Sequence, residues 1–421
     1  MQVFKFGGAS IKNSNAVRQL AHLLDNYREE QLVLVISAMD KTTNELEEVV
    51  ELYWSGDAGA TEKLSKIKAW HFQIVDELFD SSTDLKALVN DLFVEAEWIL
   101  EDEIHDTYDY LYDQIVAIGE LVSTRIIEAM LQQNSFACRW LDARSLIRTD
   151  ENHREGHVDW EATRNQIDSG IRPILDQKYW VVTQGFIAGT SENVTTTLGR
   201  EGSDFSAAII GACLDASQVT AWKNVPGIMT ADPAIDPEAE KLEKLSYREA
   251  IEMTYYGAKV IHPRTIQPLL EKSIPLTVRS FDDLSDPGSL ISGLDEEEYP
   301  PIKVRLRDQV LLQISTLDFS FISEIHLSDL FSEFASLGVK VELMRNTAVS
   351  ISVCVQHSSA KLDLLLSSLK DKFKTEVIKP VELLTIRHYD NDTLVKLTTG
   401  RSVLLQELNP QTAQVVMMQL K

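Results

Sequence analysis

The chain is short of cysteine. Its 421 residues hold three, Cys138, Cys213 and Cys354, far apart and with no CxxC pair. That argues against a disulfide framework and against a zinc site. No apolar run approaches the ~18 residues that a membrane-spanning helix needs. The opening MQVFKFGGAS lacks the basic n-region and apolar h-region of a signal peptide. Basic residues are outnumbered, with 40 Lys+Arg against 65 Asp+Glu and a net charge of −25. An acidic surface argues against a nucleic-acid binder, which needs a basic face. A local pocket of lysine, arginine and backbone N–H groups can still hold a phosphate. These deficits lead to the expectation of a soluble, cytoplasmic protein that engages neither nucleic acid nor membrane. With 44% hydrophobic and 25% charged residues the composition is ordinary for a globular protein. The length allows about two to four domains.

The first 36 residues read strand, glycine turn, helix, strand. Val3–Phe6 is β-prone, Gly7-Gly8 breaks it, and Val17, Leu20, Leu23 and Leu24 make one helical face. Leu32–Ile36 is a continuous apolar run, expected of a strand buried on both faces. Residues 61–133 carry helical spacing and predict about three helices. The carboxylate-rich stretch from Glu95 to Asp113 reads there as a solvated face. From 136 the β/α alternation returns, with strands expected at Ala137–Leu141, Trp180–Gln184, Val219–Lys223 and Pro275–Ser280. Helices are expected near 205–215, 246–256 and 264–272. Such alternation predicts an α/β fold with a mainly parallel sheet. The segment 285–301, rich in Gly, Pro, Ser and acid, reads as a linker. After it comes a β-α-β-β-α-β pattern, a small α+β ferredoxin-like unit. Residues 388–421 offer strand candidates, Leu394–Thr398 among them, and no good helix.

Several polar motifs stand at the ends of these elements. KFGGAS (Lys5–Ser10) places two glycines and a lysine between a strand and a helix, where backbone N–H groups can approach an anion. TTTLGREGSDFSAA (Thr195–Ala208) packs a guanidinium, backbone donors and Ser203 ahead of a helix, which suits phosphate or carboxylate recognition. Asp204 stands near that helix start, and spacing alone favours a helix cap over a catalytic role. VISAMDKTTN (Val35–Asn44) ends a strand in hydroxyl-bearing residues. That is the end at which parallel sheets collect ligands. Gly119-Glu120, NVPGIMTADP (Asn224–Pro233) and GAKVIHP (Gly257–Pro263) are weak signals when each is read singly.

Together, in this order, the motifs resemble the aspartate kinase family of amino acid kinases, over residues 1 to about 292. The resemblance implies an amino acid kinase-like mainly parallel sheet sandwiched by helices over 1–296. It also implies an ACT-like regulatory and dimerisation region over 305–421 whose second ACT unit is truncated. It further implies ATP with Mg2+, L-aspartate as acceptor, and a homodimer or larger homo-oligomer. Lys5 and Asp204 would be catalytic, with Asp204 orienting Lys5. Arg200 would hold the substrate α-carboxylate, Glu120 the α-ammonium, and Thr43 and Ser203 would complete that pocket. Gly7, Gly8, Ser10, Lys223, Asn224, Val225, Gly227, Asp232 and Lys259 would line the nucleotide path. The chain departs from the family pattern at Ala9, Asp40, Glu201, Asn224 and Ala234. Two other readings stay open here: a non-catalytic subunit that binds aspartate or nucleotide, and a kinase of the same fold acting on another acid.

Overall fold

The computed structural model describes residues 1–258, 261–293, 298–318 and 320–419. The chain divides into two compact units. The first comprises Met1–Ile228, Lys241–Ile251 and Val260–Glu296, and the second Met229–Glu240, Glu252–Lys259 and Glu297–Lys421.

The first unit is built on β1 (Gln2–Phe6), β2 (Leu32–Ile36), β3 (Cys138–Trp140), β4 (Trp180–Gln184), β5 (Gln218–Lys223), β6 (Lys244–Ser246), β7 (Leu276–Ser280) and β8 (Ser289–Ser292). They form one eight-stranded sheet in the order β6-β8-β7-β5-β1-β2-β4-β3. Among the described residues the sheet's one antiparallel pairing is between β7 and β8, with Ile291 opposite Leu276 and Ser289 opposite Val278, and β6 runs parallel to β8. Every residue of β2 and of β4 is buried, as a central parallel strand requires. The expected mainly parallel α/β fold is therefore present.

The helical block contains α1 (Ser14–Leu24), α2 (Thr42–Trp54), α3 (Gly59–Leu78), α4 (Thr83–Glu101) and α5 (Tyr108–Gln133). Side-chain caps start two of them: Asn13 accepts from the Ala16 N–H of α1, and Thr107 from the Tyr110 N–H of α5. From Ile115 to Thr124 every residue of α5 is buried, so this helix is enclosed all round. Trp160–Asp176 (α6), Gly202–Cys213 (α7) and Pro263–Glu271 (α8) complete the main helices, and a further helix spans Tyr247–Tyr255. Among the described residues no helix is long and apolar enough to cross a membrane.

The second unit carries a six-stranded antiparallel sheet of β9 (Ile302–Thr316), β10 (Val341–Asn346), β11 (Ser350–Gln356), β12 (Phe373–Arg387), β13 (Val403–Leu408) and β14 (Thr412–Met418), ordered β10-β11-β9-β12-β14-β13. The two 15-residue strands β9 and β12 each serve two halves. Gln309–Ser315 pairs with β11, while Ile302–Leu306 pairs with Leu383–Arg387, whose other edge takes β14. Helices α9 (Glu324–Ser336) and α10 (Ser359–Leu369) belong to the first half, and α11 (Asn391–Thr398) to the second.

Two expectations are corrected. The segment 285–301 is not wholly a linker: Ser289–Ser292 is β8, with Ser289 and Ile291 fully buried between β6 and β7. Leu394–Thr398 is not a strand. It is the end of α11, which Asp390 caps by accepting from the Thr393 N–H, with Leu394 turned into the core.

Candidate active site

The C-terminal ends of β1, β2 and β5 open into a cavity of about 960 Å³ in the first unit. That is the end of an open α/β sheet where ligands bind. Its wall includes Lys5, Gly7, Gly8, Ser10, Thr43, Glu120, Arg200, Ser203, Asp204, Lys223 and Asn224.

Lys5 is the penultimate residue of β1, and Asp204 lies in the first turn of α7. Lys5 Nζ is 2.8 Å from Asp204 Oδ1, and Lys223 Nζ is 3.0 Å from Asp204 Oδ2. Burial by itself would raise the Asp204 carboxyl. The Lys223 and Lys5 ammonium groups reverse that and hold it well below the usual carboxylate range. Asp204 is therefore not the helix cap that its spacing suggests. Glu201 takes the N-cap position, in a left-handed conformation with φ 55°, and leaves Asp204 free to turn inward. The glycine turn after β1 is sterically required. A Cβ on Gly8 would stand 2.6 Å from the Ala38 carbonyl oxygen and 2.7 Å from that of Asp40. Only glycine lets the β1 and β2 loops touch there.

Glu120 is 2% exposed in the enclosed part of α5. Its Oε1 accepts from the Ala38 N–H at 3.3 Å and from Thr43 Oγ1 at 3.5 Å, while Oε2 has no partner among the described residues. Burial pushes its carboxyl up to about 8. Gly119 makes this approach possible, since a Cβ there would be 3.0 Å from the Ala38 Cβ. Arg200, exposed on the same cavity, makes no hydrogen bond or ion pair among the described residues. One wall thus presents an unfilled carboxylate oxygen and a free guanidinium, two groups complementary to an ammonium and a carboxylate.

Other expected residues are not on this wall. Val225 is exposed, and Gly227 is packed against Ser289, whose Oγ lies 2.4 Å from where a Cβ would stand. Asp232 belongs to the second unit, where its side chain accepts from the Ala234 N–H. Lys259 lies outside the described residues.

The structure also brings in residues that the sequence did not announce. Asp113, placed by its charge run on a solvated face, is 0% exposed. Thr197 Oγ1 donates to it at 2.6 Å, the Arg154 N–H at 3.0 Å, and His153 Nδ1 lies 2.8 Å away. It thereby pins the 152–155 loop, and His153 and Arg154 line the cavity. The Arg154 guanidinium lies 4.2 Å over the Tyr112 ring. Asp113 stands two residues from both Leu111 and Ile115, off the face that they share with Ile118, so helical periodicity did not signal that the last carboxylate of the run turns inward.

The sequence model described as the amino acid kinase family matches residues 1–280. The chain belongs to the amino acid kinase family. Within it, the chain groups with the aspartokinases: it is 32% identical to the lysine-sensitive aspartokinase 3 of Escherichia coli (strain K12), covering 85% of this chain and 79% of that protein. It is 29% identical to a chloroplastic bifunctional aspartokinase/homoserine dehydrogenase 2 of Arabidopsis thaliana, covering 88% of this chain. The chain spans only 42–48% of the length of such bifunctional relatives. The structure of E. coli aspartokinase III in complex with aspartate and ADP superposes with a TM-score of 0.84 at 27% identity, covering 99% of this chain and 96% of that one.

Proposed function

We propose that the chain transfers the γ-phosphoryl group of ATP to the β-carboxylate of L-aspartate, giving 4-phospho-L-aspartate and ADP. This would be the first step from aspartate toward lysine, threonine and methionine. The carrying observation is the division of one cavity into two chemistries. The Lys5–Asp204–Lys223 cluster suits a phosphoryl group, and the free Arg200 guanidinium with the unfilled Glu120 oxygen suits the two charged ends of an amino acid. Aspartokinase relatives, one of them solved with aspartate and ADP, support the same reading.

The substrate carboxylate is already a nucleophile, so no general base is needed. Its oxygen forms the new bond to phosphorus, the bond to the β-phosphate oxygen breaks, and that electron pair leaves on ADP. Catalysis of this kind is positioning plus neutralisation of charge. Asp204 keeps Lys5 aimed. Arg200 clamps the α-carboxylate, and Glu120 takes the α-ammonium with Thr43 beside it. Ser203 completes the aspartate pocket, and the Gly7-Gly8 turn, with Ser10, presents donors to the phosphates.

The donor set fits a magnesium ion carried by the nucleotide. Among the described residues no group of three or more His, Cys, Asp or Glu could hold a metal, and both Asp204 oxygens are taken by lysines. Magnesium would neutralise phosphate charge through phosphate and water ligands. In this reading residues 1–296 are catalytic, and 305–421 serve regulation and homo-oligomer formation. Leu317, Phe321 and Ile325 of the second unit are 57%, 76% and 73% exposed, which supports a self-association face there.

The test is ADP release from MgATP with L-aspartate, L-glutamate, N-acetylglutamate or no acceptor. Aspartate-dependent turnover is expected. A preference for another acid, or bound aspartate without turnover, overturns the reading.

A further inference from the structure

The proposed reaction calls for one lysine oriented by Asp204, and the structure supplies two. Lys5 and Lys223 come from neighbouring parallel strands, β1 and β5, in which Lys5 stands opposite Ala221. Lys223 is two residues further on, so its side chain leaves the same face of the sheet as Lys5. The small Ala221 side chain keeps the space between them open. The alternate residue Trp222 takes the opposite face and stacks on Phe6, with ring centroids 6.0 Å apart. Both ammonium groups converge on Asp204, one on each oxygen, and both side chains line the cavity beside Gly7, Gly8, Ser10 and Ser203.

We propose that Lys223 is a second catalytic lysine, whose ammonium joins that of Lys5 in neutralising the charge that develops on the phosphoryl group in transit. The inference rests on the phosphoryl-transfer reading and deepens it. Asp204 holds both ammonium groups at the cavity wall, with the Glu201 carboxylate near Lys223. A transferring phosphoryl group spreads negative charge over its oxygens, and fixed charges aimed there stabilise that state. Burial would discharge Lys223, but Asp204 and Glu201 outweigh it and raise its pKa, so the group stays charged at neutral pH. Lys223 gives up no proton in the step.

The test compares wild type with Lys223→Met and Lys223→Gln in three measurements: steady-state kinetics with aspartate and MgATP, MgADP affinity by calorimetry without aspartate, and thermal melting. The glutamine retains a donor to Asp204 and loses only the charge. Removing a preorganised donor at a reacting centre costs about 10²–10³ in kcat. The expected result is that loss in both variants, with the aspartate KM and the MgADP dissociation constant each within about tenfold of wild type. A kcat within threefold of wild type in either variant that folds overturns the inference. So does a loss confined to MgADP affinity and the ATP KM, which would make Lys223 a nucleotide contact only. Where the methionine variant does not fold, the glutamine variant decides. A wild-type chain that does not phosphorylate aspartate overturns the proposed function itself, and is told apart because it needs no variant.

Discussion

Each unit buries a carboxylate between two cations. In the first, Asp204 takes Lys5 at 2.8 Å and Lys223 at 3.0 Å. In the second, Glu382 on β12, 3% exposed, takes Arg305 at 2.8 Å and Arg401 at 2.6 Å, both on Oε1. The charge count is the same, but the surroundings differ. Arg401 also donates to the Met418 carbonyl at 3.2 Å and ties two strands together. Arg305 borders a cavity of about 810 Å³, where Lys303 pairs with Asp236 at 2.6 Å and Lys396 with Glu238 at 2.7 Å. There the charges satisfy one another. On the first cavity Arg200 and the Glu120 Oε2 atom are left without partners among the described residues. Unfinished electrostatics, more than buried charge as such, marks the place that awaits a ligand.

The largest contrast should appear when each cluster is broken. Lys5→Met is expected to lower kcat by about 10²–10³-fold. Glu382→Gln should leave kcat within about twofold but cost about 1–3 kcal/mol of stability, because two partly buried arginines lose their counter-charge. Initial rates and denaturant melts on both variants check this, and equal effects on kcat would remove the distinction between the units.

Next in size is Arg200→Ala. Losing a charge-assisted clamp worth about 1.5–3 kcal/mol should raise the aspartate KM by about 10–100-fold and leave the ATP KM nearly unchanged. A parallel rise in both constants would contradict the assigned role.

Glu120 gives the first unit a pH signature. Burial lifts its folded-state value to about 8 from 4.5, so the folded chain keeps a proton that the unfolded chain has lost. That contribution is full below the unfolded value and is lost as pH rises through about 8. His71 works in the opposite sense. Burial lowers it to about 4, so its contribution is present above 6.5 and lost as pH falls toward 4. Between pH ~6.5 and ~8.5 the melting temperature of the ligand-free protein should therefore fall, and Glu120→Gln should flatten the slope. Aspartate binding near neutral pH should release a proton from Glu120, measurable by calorimetry in buffers of different ionisation enthalpy.

The smallest effect concerns two left-handed residues, Glu201 at φ 55° in the first unit and Asp308 at φ 54° in the second. Glycine at either should stabilise by at most about 1 kcal/mol, relief of strain being partly offset by the entropy of the unfolded chain. Glu201→Gly should also change the kinetics, since Glu201 lines the active cavity, whereas Asp308→Gly should not.

Much of the architecture was legible in advance. Alternating apolar runs and amphipathic stretches announced the parallel sheet and the helical block, and the Gly7-Gly8 pair announced a turn between strand and helix that could face an anion. The misses share a cause. Ser289–Ser292 is a strand only because β6 and β7 offer it partners. Asn391–Thr398 carries β-branched residues that suit a strand, but the Asp390 cap and the burial of Leu394 select a helix. Asp113 carries the charge of a surface run and the burial of a core residue.

Sequence alone determined the order of elements, the glycines at close approaches, and the residue types available for chemistry. These depend on neighbours within a few positions, where periodicity and backbone preference act. The tertiary structure alone decided that Lys5, Asp204 and Lys223 meet on one face of β1 and β5, and that Glu120 ends with one oxygen bonded and one open. Pairing and desolvation depend on segments distant along the chain, and they set the charge state that a side chain brings to a site.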